Sequence, residues 1–248
     1  MKKSSTYCAL LLGATSLLFA APDETPERFT SLFNGKDLSH WIIPEGDNGH
    51  WKVLDGVIDY DAQSEATDPK NKHLWTKKEY GDFELRIDWR IKETTGFYEV
   101  PYVLPDGSYV RDGNGKKITH PIKNADSGIL LRGNMTYQLN IWCWPIGSGE
   151  MYGIRNNEKQ PQKIRAGLTP ALNADNPVGE WNTFVITVKG DHVTVESNGY
   201  LIIDNALMPG VPAKGPIGLQ HHGGKKADGT WSPASSLVQF RNIFIKEL

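Results

Sequence analysis

Cysteine is nearly absent from this sequence: 248 residues contain two, Cys8 and Cys143. With no CxxC pair, that count excludes a disulfide scaffold and a zinc module. Positive charge is not in excess either. Lys and Arg number 27 against 29 Asp and Glu, for a formal net charge of −2. That balance lacks the basic footprint of a nucleic-acid binder. No apolar run reaches the roughly 18 residues of a membrane-spanning helix. The longest, Cys8–Phe19 (CALLLGATSLLF), follows Lys2 and Lys3 and precedes Ala20 and Ala21. This order reads as a signal peptide over residues 1–21, so the chain is expected to be exported to the periplasm or beyond and to begin near Pro22. Cys143, between Trp142 and Trp144, is then a lone thiol, read as a buried apolar residue in preference to a nucleophile.

Chemical motifs are missing as well. There is no GxxxxGK[ST] phosphate loop, no HExxH and no GxSxG, which argues against nucleotide enzymes, zincins and that class of serine hydrolase. The ExDxxE strand that gives some β-sandwich glucanases their paired carboxylates is also absent. The nearest alternation, Glu84-Leu-Arg-Ile-Asp88, carries an arginine between its acids and lacks a third acid. Two-carboxylate glycoside hydrolysis therefore finds no support.

What the chain does contain is strand and turn material. It has 25 Gly and 15 Pro, with eight Trp, nine Tyr and eight Phe. Phe83, Leu85, Ile87, Trp89 and Ile91 alternate with Glu84, Arg86, Asp88, Arg90 and Lys92, which predicts a strand with one packed face. Phe184, Ile186 and Val188 repeat the alternation. Residues 193–197 and 200–203 flank Asn198-Gly199, a two-residue hairpin signal. Further strands are expected over 51–60, 127–132, 136–143, 216–220 and 237–247. No segment keeps a helical period for eleven residues. The fold class predicted is all-β, a two-sheet antiparallel jelly-roll sandwich forming one domain over 22–248. A hairpin insertion is expected at about 93–123, and a long loop at about 160–180 around Pro161, Pro170 and Pro177.

Five blocks carry a family likeness. They are FTSLFNGKDLSHW (Phe29–Trp41), YGDFELRIDWRI (Tyr80–Ile91), NADSGILLRG (Asn124–Gly133), the long GEWNTFVITVKG… segment from Gly179 to Asp204, and GPIGLQHHG (Gly215–Gly223) with the C-terminal VQFRNIFIKEL. In this order they resemble the 3-keto-disaccharide hydrolase domain family, concanavalin-A-like sandwiches of exported bacterial proteins. The insertion and the long loop depart from the compact family pattern. So does Gln138 in YQLNIW, where the family tends to have a glutamate. The resemblance implies a carbohydrate substrate already oxidised to a ketone at C3 of a pyranose. That ketone acidifies the C2 hydrogen, so one base can generate an enediolate that expels the C1 substituent, and later water addition completes a net hydrolysis. The site then needs a base, a donor to the enolate oxygen and an acid for the leaving group.

Candidates follow by position. His222 matches a family histidine and suits the base, since an ordinary imidazole is available in neutral form near pH 7; the alternative is a surface histidine. Arg132, at the end of the SGILLR run, is the candidate oxyanion donor or else an ion-pairing residue. Tyr152 is a candidate acid or a packing residue, and Asp126 a candidate acid, a metal ligand or a local turn residue. Arg90, Gln138, Asn140, Trp142, Glu150, Gln220 and Trp231 are candidates for substrate binding, with Arg90 equally readable as part of a charged outer face. Trp142, Trp144 and Trp231 are placed to stack on sugar rings, whereas Trp41, Trp51, Trp89 and Trp181 are read as core. No cofactor is specified; a divalent metal held by His and carboxylates remains an option, without any HxH-plus-acid spacing. A non-catalytic carbohydrate-binding module on the same fold is the rival reading.

Overall fold

The computed structural model describes residues 26–63, 72–223, 229 and 237–248. The signal-peptide expectation and Trp231 lie outside these residues. In chain order the strands are β1 (Thr30–Ser31), β2 (Trp41–Ile42), β3 (Trp51–Leu54), β4 (Val57–Tyr60), β5 (Leu74–Tyr80), β6 (Phe83–Glu93), β7 (Phe97–Pro101) and β8 (Thr119–Lys123). After them come β9 (Asp126–Leu131), β10 (Asn134–Trp142), β11 (Asn182–Lys189), β12 (His192–Ser197), β13 (Tyr200–Leu207), β14 (Gly215–Leu219) and β15 (Leu237–Glu247). Two short helices, α1 (Tyr152–Arg155) and α2 (Gln162–Gly167), lie between β10 and β11.

The strands form an antiparallel sandwich. An eight-stranded sheet runs β13-β12-β11-β6-β15-β4-β3, with β1 added on β15, and a five-stranded sheet runs β10-β9-β14-β5-β2. The alternation of β6 sets the packing: Phe83, Leu85, Ile87 and Trp89 point inward and are buried, with Phe184, Ile186 and Val188 beside them on β11. The five-stranded sheet contributes Ile129, Leu131, Leu139, Ile141, Ile217 and Leu219 to the same core. At Asn198-Gly199 both residues have positive φ, 52° and 82°, as the two-residue turn between β12 and β13 requires.

Two stretches differ from the sequence reading. The 51–60 run folds back on itself as β3 and β4, because Asp55 and Gly56 also take positive φ and close a tight turn. The stretch around 160–180 is not all loop: α2 occupies six residues of it. The 93–123 segment contains β7 and β8, paired as a separate two-stranded sheet. Its Val100 and Ile122 pack on Trp142 and Trp144. Its tip is held to the helices, where Arg165 donates to the carbonyl of Gly107 and Gln162 to that of Asp106. Among the described residues no helix is long and apolar enough to cross a membrane.

Candidate active site

The outer face of the five-stranded sheet is polar where β9 and β10 meet. Along β10, Gln138, Asn140 and Trp142 share the face whose ladder partners on β9 are Leu130, Gly128 and Asp126. Gly128 has a steric reason to be glycine. A Cβ there would stand 2.7 Å from Cγ of Gln138. The bare backbone lets Gln138 lie across β9, so that its Nε2 donates to Oε1 of Gln220 at 2.6 Å and to Oδ1 of Asn140 at 2.5 Å. All three amides are buried. The backbone of Gln220 is fixed too: its N–H donates to Gly128 O, and its carbonyl accepts from the Ser127 hydroxyl.

Asp126 and His222 meet at one end of this row, with Oδ2 of Asp126 3.6 Å from Nε2 of His222. The chain at His222 is anchored on both sides. The neighbouring His221 N–H donates to Nδ1 of His73, and the Tyr60 hydroxyl donates to the carbonyl of His222. His221 itself is buried against Tyr60, and burial pushes its pKa down to about 4. His222 instead leaves its ring 45% exposed. Burial raises the Asp126 carboxyl to about 6, opposed by the nearby His222.

Tyr98 on β7 and Tyr152 at the start of α1 complete the surroundings. Burial raises both hydroxyls above their ordinary value, and the charge of Asp126 adds to the effect. The Trp144 indole N–H donates to the Tyr98 hydroxyl at 2.9 Å, and Tyr152 packs edge-on against Trp142 and Trp144. Sequence reasoning missed Tyr98. It lies in the insertion, and only tertiary packing brings that segment to Asp126; no local pattern marks it.

The structure thus brings together His222, Asp126, Tyr152, Gln138, Asn140 and Gln220. Four other expectations need correction. Arg132 is not at this end of the sheet. It is the first residue of the two-residue turn between β9 and β10, with φ 50°, a strand length of roughly 20 Å from Asp126. Its guanidinium is consumed by the carbonyls of Gly81, Gly190 and Pro212 and the carboxylate of Asp82, so it clamps three loops and has no donor left for an oxyanion. Arg90 lies in the other sheet, on its outer face. There it donates to Oε1 of Gln239 and covers the Trp181 ring at 4.6 Å. Trp142 offers no face for a sugar, because it is 2% exposed and stacks on Trp144 with centroids 4.0 Å apart. Glu150 shares the side of the sheet of Asn140 but is fully buried, paired with the equally buried Arg155. Burial raises Glu150 to about 7 even though Arg155 and Arg165 oppose it.

No group of three His, Cys, Asp or Glu side chains suited to a metal occurs among the described residues. The domain model of 3-keto-α-glucoside-1,2-lyase-like proteins matches residues 28–246. The chain belongs to this family. Two crystal structures from Parabacteroides distasonis ATCC 8503, each described as a candidate glycosyl hydrolase, are similar to it. One has 26% identity and a TM-score of 0.53, covering 90% of this chain and 84% of its own. The other has 20% identity and a TM-score of 0.53, covering 90% and 94%. No curated protein matches the chain. The family indicates a carbohydrate-active domain, and both neighbours share its fold. The sandwich geometry agrees with the family, and the β7–β8 insertion supplies a wall of the candidate site.

Proposed function

We propose that this protein is an exported enzyme that cleaves 3-keto-glycosides by removing the C2 proton and eliminating the C1 substituent. The observation that carries the reading is the Asp126–His222 pair: a half-exposed imidazole on a fixed backbone, 3.6 Å from a partly buried carboxylate. His222 takes the C2 proton, and the C–H electrons form the enediolate. Those electrons then close the C1–C2 double bond as the C1–O bond breaks, and the departing oxygen takes a proton from Tyr152 or from the imidazolium. Asp126, ionised above about pH 6, stabilises the imidazolium in the intermediate. Addition of water across the new double bond turns elimination into net hydrolysis. The family match supports the 3-keto substrate class, and the 26%-identical glycosyl-hydrolase-like neighbour supports action on a carbohydrate.

A sugar-binding module is the second reading. It is favoured by the row Gln138–Asn140–Gln220, which puts an amide where the family tends to have an acid and spends that amide on its neighbours. One experiment separates the two. Wild type and His222→Ala are incubated with 3-keto-trehalose and with trehalose in deuterated water, and products are followed by mass. The enzyme reading expects cleavage of the keto sugar alone, deuterium entering at C2, and a loss of about 10²–10⁴-fold in the variant. Full activity in His222→Ala, or no C2 exchange in the wild type, overturns it.

A further inference from the structure

On the opposite side of the sandwich, the alternation of β6 turns Arg90 and Lys92 outward. The register sets their neighbours. Arg90 pairs with Gln239 of β15 and Gln239 with Asp59 of β4, while Arg241 stands two residues further along β15. Trp181, one residue before β11, lies against this row. The guanidinium carbon of Arg90 is 4.6 Å from its ring centroid, and that of Arg241 4.1 Å. These residues line a groove of about 330 Å³ together with Leu54, Asp55 and Val57 around the β3–β4 turn. Two of its three cations already face a carboxylate. Lys92 holds Asp59 at 3.0 Å, and Nε of Arg241 reaches Asp88 at 3.3 Å. Arg90 forms no ion pair among the described residues; it donates to Gln239 and to the carbonyl of Gly179.

Four donors are left over here. Nη2 of Arg90, Nη1 and Nη2 of Arg241 and Nε1 of Trp181 make no hydrogen bond with the described residues, and all four are open to solvent. Stacking on the indole orients both guanidinium planes, so less side-chain freedom is lost when they bind. A set made only of donors calls for an acceptor, and the paired terminal nitrogens of Arg241 match the two oxygens of a carboxylate. Asp55 asks for the reverse. It is exposed in the tight turn, forms no ion pair among the described residues and can only accept. Inorganic sulfate answers the arginines but brings nothing for Asp55, and a neutral sugar answers Asp55 but leaves the charge of Arg90 unmet. A uronic acid answers both. The volume lies at the small end of the roughly 300–1,000 Å³ of ligand sites, which suits one or two rings. We propose that this groove is a second carbohydrate site that takes a hexuronate unit of an acidic glycan. Its carboxylate accepts from Arg90, Arg241 and Trp181, and its hydroxyls donate to Asp55. The choice of a sugar rests on the carbohydrate-active character of the family, and not on His222 acting as a base.

Calorimetric titration of the purified protein with trigalacturonate, with maltotriose and inorganic sulfate as comparison probes, tests this. Trigalacturonate should bind saturably, and less tightly as salt rises. Maltotriose and sulfate should each bind about tenfold more weakly or worse, since each leaves one side of the groove unanswered. Arg241→Gln should weaken trigalacturonate about 10–100-fold, as expected for loss of hydrogen bonds to a charged group. Arg90→Gln makes the same test should Arg241→Gln fail to fold. Trp181→Phe keeps a ring against the guanidiniums and removes only the N–H, which should weaken binding about tenfold. Asp55→Gly accepts the φ of 49° at that position, and should weaken trigalacturonate while leaving sulfate no weaker. Asp126→Asn and His222→Ala should bind trigalacturonate as the wild type does. The proposal is overturned by absence of saturable binding, by maltotriose or sulfate binding as tightly as trigalacturonate, or by full affinity in the arginine variants or in Asp55→Gly. Saturable, arginine-dependent binding without cleavage of 3-keto-trehalose would sink the enzyme reading and leave this site standing.

Discussion

Asp126→Asn should yield a protein that is more stable and catalytically impaired. In the folded chain burial raises this carboxyl from 3.8 to about 6, so the native state binds its proton more tightly than the unfolded state does. For a raised carboxyl the stabilising protonation is fully present below about pH 4, and it is lost as pH rises through about 6. At 1.36 kcal/mol per pH unit the difference amounts to roughly 3 kcal/mol of destabilisation above pH 6. The amide removes that penalty, and with it the attraction to a half-exposed His222, which is worth about 0–1 kcal/mol. The carboxylate is 22% exposed, so water already relieves part of the burial. The net gain expected is about 2 kcal/mol at pH 8, or roughly 4–8 °C in Tm for a chain of this size. Urea and thermal unfolding of both proteins at pH 8 and pH 4 measure it. The gain should be present at pH 8 and close to zero at pH 4, where the wild-type carboxyl is already neutral. Equal stabilities at pH 8, or a less stable variant, would refute the claim that Asp126 is held charged against its surroundings. Wild-type turnover should fall in parallel as pH drops through about 6.

Arg132→Ala should lose about 3–5 kcal/mol, because one guanidinium serves three loop carbonyls and Asp82, while turnover per folded molecule stays unchanged; a large kcat loss at full stability would return Arg132 to the site. Glu150→Gln should destabilise by about 3–5 kcal/mol by leaving Arg155 charged and unpaired in the core. The double change Glu150→Leu with Arg155→Met should recover most of that in the same unfolding assay. Gly128→Ala should drive Gln138 off β9 and break the amide row, seen as lost activity with a smaller change in Tm.

The larger sheet was legible in the sequence because strands such as β6 and β11 are buried on one face only. In β6 the inward and outward residues differ in kind at every step, and period two can be read without knowing the partner strand. The Asn198-Gly199 turn was legible for a local reason as well, since its backbone needs positive φ at both positions. His222 and Asp126 could be named from blocks of the family likeness, and Gln138, Asn140 and Gln220 from their strands. Their meeting could not: it depends on β14 lying beside β9 and on Gly128 leaving room for an amide to cross.

Arg132 shows where local reading stops. Alternation along β9 would aim it with Gly128 and Leu130, but the strand ends at Leu131, the backbone turns left-handed, and four acceptors from distant loops claim the side chain. Trp142 and Tyr98 make the same point from opposite sides. An aromatic residue in a sequence has a face to offer, but whether that face meets sugar, another ring or Asp126 depends on which segment packs over it. Residue type and spacing by themselves determined the sheets, their turns and the chemical inventory. Tertiary structure alone decided which of those groups lost their solvent and which were spent on one another, because burial and hydrogen-bond saturation depend on neighbours far away in the chain.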